Sequence, residues 1–231
     1  MNDQERKTYD TEAGRYEALV AHEDHPGNIP RAIDEILRAD GLDVLDLGAG
    51  TGRLTLMLAP RAKSIWAFDA SAHMLGVTRD KLKKTGSSNW RIAAADHRNL
   101  PLLDHCADLV VSGWSVSYLS VWSREDGWLE LDAWLAEMNR VLRPAGTIIL
   151  FESLGTGNES PIHLEHLETT YRWLEAVGFQ SKWIRTDYRF GSVEEAVDLA
   201  GFFFGEEMRR RLREKRSPIL PECTGVWWKT V

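Results

Sequence analysis

The apolar run Val44-Leu45-Asp46-Leu47 ends in Gly48-Ala49-Gly50-Thr51-Gly52, after which residues 54–60 take up helical spacing until Pro60 stops it. Few folds admit a strand that turns through three alternate glycines into a helix. The glycines let the backbone turn tightly and come within contact distance of a ligand. The same alternation continues along the chain. Residues 31–39 read as a helix and 64–69 as a second strand, with a helix near 71–84. Further strands are expected at 90–96, 107–113 and 147–152. The clearest helix spans 126–142, where Trp128, Leu131, Leu135, Met138 and Leu142 fall on one stripe, and residues 143–146 break it before the fifth strand. Strand, helix, strand at such short spacing predicts parallel βαβ units with helices on both faces of one sheet. Ligands of such α/β folds sit at the carboxyl ends of the strands. The loops after Leu47, Phe68, Ala95 and Val111 are therefore the places to search.

Composition bounds the partners. The 231 residues carry 28 Lys and Arg against 35 Asp and Glu, a net charge of −7. That balance lacks the electrostatic footprint of a nucleic-acid binder. Cys106 and Cys223 are too few for a disulfide framework or a zinc site, and no metal is expected. The first ten residues contain no apolar stretch, and no run of about 18 apolar residues occurs anywhere. The expectation is a single cytoplasmic domain over 1–231 with no membrane association, as a monomer or homodimer.

Arg53 stands where the dinucleotide fingerprint G-x-G-x-x-G needs its third small residue, and the Walker spacing is absent. Asp69 ends the second strand, where a carboxylate can accept both hydroxyls of a ribose. Asp96 ends the third, within reach of an adenine amino group, and Asp46 precedes the glycines, near the cationic head of a ligand. Three carboxylates without a basic phosphate anchor favour a positively charged nucleoside over a nucleotide. The alternative is that Asp46 and Asp96 cap helices or turns.

With these residues in place, VLDLGAGTGRLT resembles the first motif of class I S-adenosylmethionine-dependent methyltransferases, FDASAHML the second, and MNRVLRPAGTIILFE the later helix-turn-strand element. The resemblance covers about residues 30–152 and is narrower still to the type 11, small-molecule group that includes quinone-biosynthesis enzymes. It implies a Rossmann-like, doubly wound α/β sheet of seven strands with an antiparallel last strand, residues 179–190 and 224–231 supplying the final two. It also implies S-adenosyl-L-methionine as cofactor and S-adenosyl-L-homocysteine as product. The implied cofactor-binding positions are Asp46, Gly48, Ala49, Gly50, Gly52, Asp69, Ala70, Met74, Asp96, His97 and Ser112. Among these Met74 covers the adenine, and the His97 backbone lies beside it.

Methyl transfer from a sulfonium is an in-line displacement with a good leaving group, so alignment and exclusion of water dominate. A hydroxyl or acidic-carbon acceptor would call for a base, and His163 and His166 are the weak candidates. Tyr16, Trp114 and Tyr118 are expected to line a small-molecule acceptor pocket. Residues 1–30, with Tyr9 and Tyr16, form an expected lid, 31–152 the cofactor core, and 153–231 a substrate-side part with a helical insertion at 193–216. Phe202, Phe203 and Phe204 cannot share one helix face, so at least one should meet a lid, a partner or substrate. Six basic and three acidic residues over 206–216 read as a solvated helix face. The alternatives to a small-molecule methyltransferase are a protein or tRNA methyltransferase and a non-catalytic S-adenosylmethionine-binding module.

Overall fold

The computed structural model describes residues 11–123 and 126–231, so Tyr9 and the first ten residues of the expected lid lie outside the described residues. Nine strands form among these: β1 (Asp43–Leu47), β2 (Ser64–Asp69), β3 (Trp90–Ala94), β4 (Ala107–Gly113), β5 (Leu142–Thr156), β6 (Gln180–Arg185), β7 (Tyr188–Arg189), β8 (Ile219–Leu220) and β9 (Glu222–Thr230). Seven of them make one sheet in the order β3-β2-β1-β4-β5-β9-β6. The pairs from β3 through β5 are parallel, and β9 runs antiparallel to both β5 and β6. The chain reverses its direction of growth between β1 and β4, which creates a crevice at their carboxyl ends.

Burial on both faces explains why the central strands read as unbroken apolar runs. Alternate residues of β4 and β5 enter opposite cores: Val110, Ile148 and Leu150 join one, Leu109, Val111, Ile149 and Phe151 the other. The first core is closed by Leu131, Trp134 and Met138 of α6 (Gly127–Val141) and by Trp173 and Leu174 of α7 (Glu168–Ala176). The second is closed by α2 (Asn28–Ile36), α3 (Arg53–Leu58) and Leu82 of α4 (Ala72–Thr85).

Several boundaries differ from the sequence expectation: the helix expected at 31–39 spans Asn28–Ile36, the strand at 90–96 ends at Ala94, and two differences have a clear physical cause. β5 starts at Leu142, directly after α6, so residues 143–146 belong to the strand as an irregularity and do not precede it. Ala107 pairs with Leu142, but Leu109 pairs with Thr147, and Ala145 has φ +67°. Pro144 cannot donate to a ladder and is tolerated at such a bulge. The single strand expected over 179–190 is broken at Thr186-Asp187. The Asp187 carboxylate accepts from Arg185 and from the Glu222 N–H, bending the chain so that β7 leaves the main sheet to pair with β8.

A third core lies outside the sheet. Leu19 of α1 (Ala13–Val20) packs with Tyr188 and Phe190 and with α8 (Val193–Phe204) and α9 (Glu206–Lys215). The three adjacent phenylalanines diverge. Phe202 lies under the Arg15 guanidinium, Phe203 is 5.5 Å from the Tyr16 ring, and Phe204 meets Tyr188 edge-on. The basic run of α9 is paired largely within its own helix, Arg209 with Glu206 and Arg210 with Glu207.

Candidate cofactor and acceptor site

Gly48, Gly50 and Gly52 all take positive φ, at +69°, +55° and +84°. The turn they make wraps the carboxylate that ends β2. Asp69 Oδ2 accepts from the Gly50 N–H at 2.8 Å, and Oδ1 accepts from the Ser71 N–H at 2.7 Å. The Thr78 hydroxyl of α4 donates to the Gly50 carbonyl at 2.7 Å, and the Lys81 ammonium to the Thr51 carbonyl at 3.0 Å. The loop is therefore fixed from behind while its front stays open: a Cβ built on Gly50 would find no atom within 4 Å. At Gly48 the opposite holds, because a Cβ would fall 1.9 Å from the Ser115 hydroxyl.

Around this turn the sequence-derived residues fall into distinct groups. Asp46 is buried on β1 and takes the Thr55 hydroxyl at 2.5 Å; burial pushes its carboxyl up to about 7. Ala49 is held by the Phe68 carbonyl. Ser112 spends its hydroxyl on the Leu47 carbonyl at 2.8 Å and so braces the end of β1. Met74 is fully buried on α4, and Ala70 is exposed beyond Asp69. Asp96 is clasped by Arg98 through both the side chain and the backbone N–H, with Glu130 on the far side of the same guanidinium. That clasp holds Asp96 down to about 2. It satisfies the turn-capping alternative for Asp96, whereas the helix after the glycines is capped at Gly52 and Asp46 bonds the Thr55 side chain within it.

His97 shows more than the sequence suggested. Its ring is buried, lies against Gly48, and keeps Nδ1 without a hydrogen-bond partner. Burial lowers its pKa, which leaves a neutral imidazole. His163 and His166, by contrast, are not among the residues that line the cleft beside the glycine loop. Both are exposed, and His163 faces Glu168 across 3.4 Å beyond the end of β5.

Of the three expected acceptor-side residues, Tyr16 and Trp114 reach the cleft and Tyr118 is not among its lining residues. Tyr16 and Trp114 line a narrow cleft with the glycine loop, Asp46 and Arg53, enclosing about 30 Å³. Tyr118 lies on α5 (Ser117–Ser123), stacked on Trp122 at 4.9 Å. The loop between β4 and α5 is pinned by a residue the sequence reading passed over. Glu152 of β5 is buried and accepts from the Ser117 N–H at 2.9 Å and the Ser117 hydroxyl at 2.8 Å. Burial raises its carboxyl to about 7. Arg53 was read only as an obstacle to a dinucleotide. It lies 3.8 Å above the Trp114 ring and is ion-paired to Glu23, just beyond α1. A cation directly after a glycine turn is the signal that marked it.

The arrangement offers carboxylates, a guanidinium, exposed loop backbone and one unsatisfied imidazole nitrogen around a crevice floored by glycine. These donors and acceptors suit a ligand bearing hydroxyls, an amine and a carboxylate. Among the described residues no group of three or more His, Cys, Asp or Glu is placed to hold a metal ion, and no helix is long and apolar enough to cross a membrane.

Comparison with known proteins gives these features a context. Residues 44–146 match a family model described as a methyltransferase domain. A malonyl-[acyl-carrier protein] O-methyltransferase of Geobacter sulfurreducens is 33% identical over 172 residues, 72% of this chain and 57% of the relative. A demethylmenaquinone methyltransferase of Tropheryma whipplei is 29% identical over 112 residues, 48% of this chain and 42% of the relative. The chain spans about half the length of the curated relatives it matches. Among solved structures, a SAM-dependent methyltransferase from Aquifex aeolicus superposes with a TM-score of 0.58 at 16% identity, covering 100% of both chains. That likeness is one of fold.

Proposed function

The chain carries a class I S-adenosylmethionine-dependent methyltransferase domain, and from that premise we propose that it transfers a methyl group from S-adenosylmethionine to a small-molecule acceptor by direct in-line displacement. The observation that carries the reading is the bend of Gly48–Gly52 around the Asp69 carboxylate at the carboxyl ends of β1 and β2. When bound, the cofactor supplies an electrophilic methyl on a sulfonium, with a neutral thioether as leaving group. The chain's own work is to bind, orient and exclude water.

Asp69 is placed to accept from two ribose hydroxyls, trading its contacts with the Gly50 and Ser71 N–H groups for them. Gly48, Ala49, Gly50 and Gly52 bring backbone alongside the ligand's amino-acid part, where the buried Asp46 carboxyl stands beside its ammonium. Asp96, His97 and Met74 are assigned to the adenine, with Ala70 flanking the ribose and Ser112 bracing the floor. Tyr16, Trp114 and Tyr118 face the acceptor. Fixing two reactants in line is worth about 7–11 kcal/mol of barrier, and the Glu152 clasp serves that end by holding the acceptor-side loop. The malonyl and menaquinone relatives support a small acceptor by their names alone, and the acidic net charge of −7 supports it over a nucleic acid.

Asp69→Asn tests the assignment. It keeps the size of the side chain and one acceptor oxygen but loses the charge that holds two hydroxyls. S-adenosylhomocysteine should bind at least about tenfold more weakly, a change of about 1.4 kcal/mol. Unchanged affinity would overturn the role given to Asp69.

A further inference from the structure

The Glu23–Arg53 pair is buried far more deeply than a lid clasp requires. The Arg53 side chain is 19% exposed and that of Glu23 is 2%. The guanidinium lies over Trp114, its Cζ 3.8 Å from the ring centroid. A guanidinium carries a planar fork of donors that can receive a carboxylate by two parallel bonds. Trp114 takes up φ +52° to lie there, with its N–H donated to the Phe151 carbonyl at 2.6 Å. A left-handed backbone at so bulky a residue is costly, and such strain is retained where it places a functional group.

Glu23 is the carboxylate on that fork, and it belongs to the cover of the cleft and not to the sheet. It has other partners: Tyr188 donates to it at 3.0 Å and Thr186 at 3.3 Å. Removed from Arg53, it would keep both. Arg53 and Tyr16 line the same narrow cleft as the glycine loop, so the Arg53–Glu23 contact stands at the wall that a ligand in the cleft meets.

We propose that Arg53, backed by Trp114, is a carboxylate-binding site, that Glu23 is its built-in occupant, and that an incoming ligand carboxylate displaces Glu23 from the guanidinium. The exchange keeps the buried cation paired, and leaves Glu23 with the Tyr188 and Thr186 hydroxyls in place of its counter-charge. The proposal rests on the methyltransferase reading for the identity of the ligands. Two sources of the carboxylate share this chemistry: the amino-acid end of the cofactor, and an acceptor that is itself an organic acid.

Calorimetric titration of the full chain separates them. The probes are S-adenosylhomocysteine, 5′-methylthioadenosine, which lacks the amino-acid part, and benzoate added to protein saturated with S-adenosylhomocysteine. Each is titrated into wild type, Arg53→Met and Glu23→Gln. If the cofactor is the source, Arg53→Met weakens S-adenosylhomocysteine at least tenfold and leaves methylthioadenosine unchanged, a selectivity that a merely structural clasp would not produce. If the acceptor is the source, S-adenosylhomocysteine is unaffected and benzoate binding to wild type is lost in Arg53→Met. In either case Glu23→Gln, which removes the competing anion, tightens the affected probe several-fold. An Arg53→Met protein that binds all three probes as wild type does would overturn the proposal. Should Arg53→Met fail to fold, Glu23→Gln decides: tightening of either carboxylate probe supports the exchange, and unchanged or weaker binding overturns it. Wild type that binds neither adenosyl compound would sink the methyltransferase reading. Benzoate titrated alone into wild type and Arg53→Met would then decide the carboxylate site separately.

Discussion

At Gly48 the constraint on a single residue is sharpest. Its φ of +69° suits glycine, and a Cβ there would lie 1.9 Å from the Ser115 Oγ and 2.4 Å from its Cβ. Ser115 cannot yield freely, because the segment that follows it is pinned by Glu152. Gly48→Ala should therefore cost about 2–4 kcal/mol, combining left-handed backbone strain with overpacking, as measured by urea unfolding. Gly50→Ala meets no atom within 4 Å and should cost only the backbone share, about 1–2 kcal/mol. Equal losses at the two positions would show that contact with Ser115 is not what fixes Gly48. The glycines and Asp69 were legible in the sequence because their chemistry is local, a tight turn followed by an acidic strand end. The Arg53–Glu23 pair and the Glu152 clasp join residues 30 and 35 positions apart, and no spacing rule announces such partners. His163 and His166, the weak base candidates, are both exposed.

Among the elements, α6 was legible in extent and less so in its buried face: Leu131 and Met138 of the expected stripe are buried, but Trp128 is 41% exposed, Leu142 begins β5, and Trp134, outside that stripe, faces the core. Its centre is Trp134, fully buried and set edge-on to Trp173 at 6.2 Å. Trp134→Ala should destabilise the fold by about 3–5 kcal/mol. The Trp134 Nε1 is buried without a hydrogen-bond partner. Trp134→Phe sheds that orphaned donor and should cost clearly less than alanine, and thermal unfolding of the two variants tests the order. A phenylalanine variant as unstable as the alanine one would contradict this account of the site. Element boundaries were less legible where tertiary contacts decide them. Nothing local distinguishes a loop at 143–146 from a bulge that stays in register with β4, and the bend that splits β6 from β7 depends on the distant Glu222 N–H. The helical insertion at 193–216 shows amphipathic spacing, yet its contact with the lid through Phe203 and Tyr16 needs the assembled cap.

Over the whole molecule, several buried acids give stability a definite pH dependence. Burial raises Asp46 and Glu152 to about 7 and Glu222 to about 8, from ordinary values of 3.8 and 4.5. The folded state holds these protons more tightly than the unfolded chain. Their contribution is thus fully present below pH 4 and is lost as pH rises through 7 to 8. His97, pushed down by burial, works oppositely: its contribution is present above 6.5 and lost as pH falls. Asp40 and Asp96, held near 2 by arginine partners, lose theirs only below about pH 4. These raised acids, with Glu23 and Asp24 also pushed up by burial, outweigh one lowered histidine and predict that the melting temperature falls between pH 5.5 and 8.5. Glu222→Gln should flatten that slope, and a slope unchanged by this variant would show that Glu222 does not titrate there.

The parallel sheet with its glycine turn at the switch point was evident from strand-helix alternation, and the cofactor was implied by the resemblance of VLDLGAGTGRLT and FDASAHML to methyltransferase motifs. The closed form of the cleft was not, because it is set by a lid packed against helices from the other end of the chain. The central claim is that this crevice takes S-adenosylmethionine. Calorimetric titration of the wild-type chain with S-adenosylmethionine, S-adenosylhomocysteine and NAD tests it most directly. The account predicts saturable binding of both adenosyl compounds and none of NAD, because Arg53 stands where a dinucleotide needs a small residue. Binding of NAD, or of neither adenosyl compound, would contradict it.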